Sequence, residues 1–185
     1  MNPACQADDA RIARFRTGTA LIWFGQLGGM IGEFARRYPG AARGQDVYAI
    51  MREVQLPPAL RVGQGYGKVS WAVRTIFESY TGWFQRRATS ELYADAPDAA
   101  SADLVELAGA KVVLDRARGR LAAGDPLRAL RLAEAVAAAE PASRDAASLL
   151  VDVHEALLAA GGDVNFWESG WLHHQIARWR AVADG

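Results

Sequence analysis

The chain has 185 residues, a formal net charge of zero and one cysteine, Cys5. Balanced charge excludes nucleic acid as the main partner, because phosphate binding needs clustered excess Lys and Arg. A lone cysteine excludes an intrachain disulfide framework and fits a cytoplasmic location, with the periplasm as the alternative. The length holds one domain or two small ones with a real core. Abundant alanine favours an all-α fold.

From the N-terminus, Arg11, Arg14 and Arg16 precede an uncharged stretch from Thr17 to Gly32. This has the outline of a signal peptide, but Asp8 and Asp9 interrupt the basic leader and no small-residue cleavage site follows. It falls short of the ~20 apolar residues a spanning helix needs, and Gln26 and five glycines weaken it further. It reads as a buried or interfacial helix, so no membrane span is expected. Tyr38-Pro39-Gly40 breaks the pattern. Residues 1–43 are expected to form an apolar N-terminal helical segment, and residues 44–185 a helical domain.

Asp46 to Val54 reads as a short helix with Asp46 as its cap, followed by a turn at Leu56-Pro57-Pro58. Gly63-Gln64-Gly65-Tyr66-Gly67-Lys68 resembles a phosphate loop but fails both templates. A P-loop needs Gly where Val62 stands and Ser or Thr where Val69 stands, and a dinucleotide loop needs Gly where Lys68 stands. The stretch reads as a flexible lead-in to a long aromatic helix. There Val69, Val73, Ile76, Tyr80 and Trp83 recur at the spacing of one helix face, with Trp71 and Phe77 off that stripe. A helix apolar on more than one side must be covered by more than one neighbour, from its own fold or from a second chain. Tyr66, Val69, Trp71, Val73 and Ile76, then Phe77, Tyr80, Trp83 and Phe84, are therefore the interface candidates. Arg74 and Glu78 stand at the i, i+4 spacing of a helix salt bridge.

Ala96-Pro97-Asp98 marks a loop, and Ala-rich helices in pairs follow from Ala100. One runs from about Ala110 to Ala122. Gly124-Asp125-Pro126 turns the chain, with Pro at a first helical position. The next runs from about Leu127 to Ala139 and stops before Pro141. Another spans about Ser143 to Ala160, with Ala146, Leu150, Val153 and Leu157 along one face, and ends at Gly161-Gly162. A last helix, from about Asn165 to Val182, carries Phe166, Trp167, Trp171, Ile176 and Trp179. The turn glycine, Ala129 and the following proline give the C-terminal half the look of TPR-like helical hairpins, although the bulky aromatic positions of that repeat are missing. No strand is expected.

Catalytic chemistry finds little support. The three histidines are His154, His173 and His174. Adjacent histidines on a helix point about 100° apart and do not make the i, i+4 grip of a metal site. Asp152 and Glu155 project onto different faces from His154, and no Cys-x-x-Cys or His-x-His occurs. Cys5 lies near a terminus with no supporting histidine, and Glu53, Glu78 and Glu168 have no second carboxylate paired with them. Neither a catalytic residue nor a metal ligand is assigned.

Several words, in order, resemble the alkyl-sulfatase dimerisation domain. They are Val47-Tyr48-Ala49-Ile50-Met51-Arg52-Glu53-Val54, Leu56-Pro57-Pro58, the run from Gly65 to Arg74, and Tyr80-Thr81-Gly82-Trp83-Phe84. Glu91-Leu92-Tyr93, Ala122-Ala123-Gly124-Asp125-Pro126, Leu132-Ala133-Glu134 and the run from Asn165 to Leu172 continue the likeness. It covers roughly Gly44 to Trp179. The resemblance implies a helical domain whose main job is to pair subunits. In the intact enzymes a metallo-β-lactamase-fold domain holds two zinc ions through a His-x-His-x-Asp-His motif and cleaves alkyl sulfate esters. No part of that motif occurs here, so no zinc ligand carries over and no cofactor is expected. The dimerisation helices of the intact enzymes lie near the substrate entrance, which makes Tyr66, Trp71, Arg74 and Trp83 candidates to border a partner's active-site mouth.

Two functional readings lead, ahead of a third, a helical-repeat scaffold that binds peptides in a concave groove. One is a non-catalytic interaction module forming a homodimer or pairing with a sulfatase-like metallo-hydrolase chain. The other is a fragment or split subunit of an alkyl sulfatase that needs a separate metal-binding chain.

Overall fold

Alanine, leucine and arginine are the commonest residues of the C-terminal hundred, and from Ser101 onward that composition folds as helices joined by short turns. The computed structural model describes residues 46–185 apart from 57, 59–62 and 86. Among these are seven α-helices and one short 3₁₀ turn, Thr89–Leu92, with no strand. The apolar stretch Thr17–Gly32, the breaker at Tyr38-Pro39-Gly40, Cys5 and Pro57 lie outside the described residues. The described chain forms two units that divide between Trp83 and Phe84.

In the first unit, α1 (Val47–Glu53) packs on α2 (Val69–Thr81). Asp46 stands at the N-cap position of α1, but its side chain makes no capping bond; its carbonyl accepts the N–H groups of Ala49 and Ile50. Val47, Ile50, Val54, Val73 and Phe77 are buried together, and Tyr48, Met51, Val69 and Ile76 lean on them. Each such large aliphatic or aromatic side chain contributes about 1.5–3 kcal/mol on leaving water. Phe77 thus belongs to the inward stripe, four residues after Val73, and not off it as the periodicity suggested. Trp83 is the second correction. Helix α2 ends at Thr81, and Gly82 follows at φ 76°, ψ −174°, a backbone state reserved for glycine. The chain leaves the helix there, so Trp83 is not on the α2 face.

The start of α2 shows how the glycine-rich lead-in is used. Gln64 Oε1 accepts the Val69 N–H at 2.8 Å, satisfying one of the open donors of the first turn.

The second unit holds α3 (Ser101–Ala108), α4 (Ala110–Ala122), α5 (Pro126–Ala139), α6 (Arg144–Gly161) and α7 (Phe166–Asp184). Helix α5 packs against α3, α4 and α6, and α6 packs against α7. Its core joins Leu150, Val136 and Val153 to Ala117, Ala129, Ala133, Ala146 and Ala147, all fully buried. Alanine at the crossings lets helix axes come close, and the larger side chains fill what remains. Helix ends follow local chemistry. Asp125 accepts the Arg128 N–H ahead of Pro126, Ser143 accepts the Ala146 N–H, and Gly162 closes α6 in the left-handed conformation. The short helix α3 was not delimited by the sequence pattern. Gly109, at φ 84°, separates it from α4 without a proline or a polar cluster.

Candidate functional site

The exposed aromatic side chains of the first unit come from three places. Tyr66 sits in the lead-in to α2 and is 71% exposed, Trp71 in the first turn of α2 and 39% exposed, and Trp83 just past Gly82 and 72% exposed. Lys68 places its ammonium 5.8 Å from the Trp71 ring centre, and Arg74 places its guanidinium 6.0 Å from that of Tyr48. Both distances are within the range of a cation–π contact. Arg74 Nε also donates to Glu78 Oε1 at 2.8 Å, the expected i, i+4 pair. The bond to Glu78 favours the charged guanidinium, and at this exposure the pair contributes a few tenths of a kcal/mol.

The nine interface candidates divide by position. Val73 and Phe77 are buried in the unit's own core, and Val69 and Ile76 are half-buried against it. Tyr66, Trp71 and Trp83 are open to solvent, and Phe84 is half-buried in the second unit. The Tyr80 side chain lies outside the described residues. Three of the four residues considered for bordering a partner's active-site mouth are these open aromatics; the fourth, Arg74, is exposed beside them in sequence.

A second set of open rings was not nominated from the sequence. Phe166, Trp167 and Trp171 are each more than half exposed at the start of α7. Phe166 and Trp167 meet edge to face at 5.4 Å, and Trp171 lies 5.9 Å from the His174 ring. The opposite side of the helix buries Leu172, Ile176 and Trp179. A signal for them was present: Trp167, Trp171 and His174 follow the i, i+4, i+7 spacing of one helix face.

The histidines do not fit a zinc site. His154 is buried, and its Nδ1 lies 2.5 Å from the Leu150 carbonyl oxygen. A carbonyl only accepts, so that nitrogen carries the proton and only Nε2 is left with a lone pair. His173 Nε2 is 3.6 Å from Asp163 Oδ1 at the surface, and His174 stands against Trp171. Asp163's carboxyl is held below the usual carboxylate range, mainly by the Ser169 hydroxyl and then by His173. Among the described residues no group of three or more His, Cys, Asp or Glu side chains is arranged to hold a metal ion. The zinc chemistry of alkyl sulfatases therefore finds no ligand set among them. Nor is any described helix long and apolar enough to cross a membrane.

Comparison with known proteins adds to this geometry. The family model described as alkyl sulfatase dimerisation matches residues 47–169, well over half of the chain. Among solved structures, the stereoselective inverting sec-alkylsulfatase Pisa1 from Pseudomonas sp. is similar at a TM-score of 0.65 and 26% identity, over 80% of this chain and 24% of that one. A double mutant of the sec-alkyl sulfatase PisA1 is similar at a TM-score of 0.63 and 26% identity, over 83% of this chain and 24% of that one. The chain thus corresponds to about a quarter of the length of these enzymes. No curated protein sequence matches it. A match of that extent, on an all-helical fold shared with two sulfatase structures, means that this chain belongs to the alkyl sulfatase dimerisation family.

Proposed function

We propose that this chain is a non-catalytic coupling module that holds two polypeptides together, with a second copy of itself as the first partner. Membership of a dimerisation family supports the reading. The observation that carries it is the exposure of Tyr66 and Trp83, at 71% and 72%, beside a core that has already absorbed Val73 and Phe77. Large rings left exposed at the surface are the anchors that interfaces use. An interface of standard size, ~1,600 Å² in total, would supply ample driving force. In this reading Tyr66, Trp71, Arg74 and Trp83 meet the partner. If that partner carries a hydrolase domain, they border the mouth of its active site. TPR-like packing of the C-terminal hairpins and a cytoplasmic location belong to the same proposal. The lone cysteine supports the second of these.

Light scattering coupled to size exclusion tests the reading. Twice the chain mass at micromolar concentration supports it, and a single-chain mass overturns it.

The likeness to a quarter of two sec-alkyl sulfatases favours one alternative: this chain serves as part of a metallo-β-lactamase-fold alkyl sulfatase that needs a separate metal-binding chain. It would contribute walls to the active site and no zinc ligands. Sulfate release that appears only when such a chain is added would favour this version. Turnover with stoichiometric zinc from the chain alone would overturn both readings.

A further inference from the structure

Charge is segregated along the second unit although the whole chain is neutral. Residues 91–106 hold Glu91, Asp95, Asp98, Asp103 and Glu106 and no Lys or Arg. Residues 110–139, which form α4, the turn and α5, hold six Lys and Arg side chains against three acidic ones. Part of this excess gathers beside the turn. Arg116 and Arg120 stand at i, i+4 on one flank of α4. Arg120 Nη1 lies 3.9 Å and Arg128 Nε 3.5 Å from the same oxygen of Asp125, so the α4 flank and the start of α5 converge on that carboxylate. Its other oxygen is already engaged by the Arg128 backbone N–H. Arg116, exposed one turn away, forms no ion pair among the described residues. Three guanidiniums thus have one carboxylate between them.

We infer that this arginine face docks an acidic segment of another polypeptide, whose carboxylates complete the pairing that Asp125 alone leaves unmet. The inference does not rest on the coupling reading above, and it gives the second unit a binding surface of its own.

Three observations select that chemistry. First, all three cations are arginines, whose forked donors match the oxygens of a carboxylate or a phosphate. Second, neither α4 nor α5 contains an aromatic residue. The face therefore has no ring of its own to stack on a nucleic-acid base and none to anchor at a bilayer interface, which points away from phosphate-bearing partners. Third, Val112 lies one turn before Arg116 on the same flank and is 63% exposed. It offers an apolar contact beside the charges, as a mixed acidic and apolar protein segment requires.

Fluorescence anisotropy with the full-length chain tests this. The probes are a labelled helical peptide rich in Glu with Leu along one face, the same peptide with every Glu replaced by Gln, a labelled oligothymidylate, and vesicles of phosphatidylserine and phosphatidylcholine in equal parts. The Glu peptide should bind, more weakly as salt rises, and the Gln peptide should not. Arg116→Gln with Arg128→Gln should weaken that binding about tenfold or more, with melting unchanged. Lys111→Gln with Arg118→Gln removes the same charge from the opposite flank of α4, where both side chains pair with Asp115, and should cost less than about threefold. The comparison of the two peptides needs no variant at all. No binding of the Glu peptide, or an equal loss in both variant pairs, overturns the inference. Tighter binding of the oligothymidylate or the vesicles also overturns it and assigns the face to phosphate. If the Arg116, Arg128 pair instead splits a two-chain species into single chains, a second copy's acidic stretch occupies the face and the inference fails. Chain mass is measured separately, so a monomer that binds the Glu peptide removes the coupling reading and leaves this one standing.

Discussion

Asn165 and Glu168 stand three residues apart, and Asn165 Oδ1 accepts the Glu168 N–H at 3.0 Å. That bond fixes where α7 begins. It therefore fixes which of the following aromatic residues turn inward, as Trp179 does, and which turn outward, as Trp167 and Trp171 do. Asn165 is itself buried, so its side chain is held by the fold as well as by the helix. Asn165→Ala is expected to lower stability by about 1 kcal/mol or more, and Asn165→Asp by much less. Urea denaturation of the two variants checks this.

Two glycine substitutions should move stability in opposite directions. Gly82 sits at φ 76°, ψ −174°, and although a Cβ there would touch nothing within 4 Å, the backbone state itself is strained for other residues. Gly82→Ala should cost about 1–3 kcal/mol. Gly119 lies inside α4 at negative φ, again with open space around it. Gly119→Ala should stabilise by roughly 0.5–1 kcal/mol. Thermal melts of both single variants make the comparison.

Glu91 ties down the loop that opens the second unit. Its carboxylate accepts the N–H groups of Gln85 at 2.8 Å, Arg87 at 3.1 Å and Ala88 at 3.3 Å. Glu91→Ala leaves three donors to find water. The expected loss is about 1–3 kcal/mol, with faster amide exchange confined to residues near 85–92. Hydrogen-exchange mass spectrometry would read out both extent and place.

Partial burial holds the Glu134 carboxyl above its ordinary value of 4.5, with His154 and Arg131 opposing the shift. The folded state then keeps this proton to higher pH than the unfolded chain does. Stability from this group is fully present below about 4.5 and is lost as pH rises through the folded value. Glu134→Gln should therefore melt close to the parent at pH 4 and gain on it toward pH 7. A parent and variant that lose melting temperature in parallel over that range would contradict the assignment.

Much of this fold was legible because its boundaries are written in punctuation. Gly124-Asp125-Pro126, Pro141 and Gly161-Gly162 mark turns by backbone geometry alone, and the helices end there to within a residue or two. The single face Val69, Val73, Ile76 was legible for the same reason, as a period. What the period hides is where it stops. Trp83 keeps the spacing of α2 but lies beyond Gly82, whose positive φ has already turned the chain away. Phe77 and Trp71 both looked off-stripe, and only packing on α1 distinguishes the buried ring from the exposed one. Gln64 and Glu91 are illegible in another way. Each works by accepting backbone N–H groups at mixed distances, five residues away for Gln64 and three, four and six for Glu91, a relationship with no repeat to detect. The open rings of α7 were visible as residues, yet exposure on a helix with two apolar sides depends on which side α6 covers.

Sedimentation equilibrium of the intact 185-residue chain across the micromolar range is the most direct trial of the account. It should report a reversible two-chain species that dilution splits into single chains. One chain per particle at every concentration, with the helices folded, would contradict it.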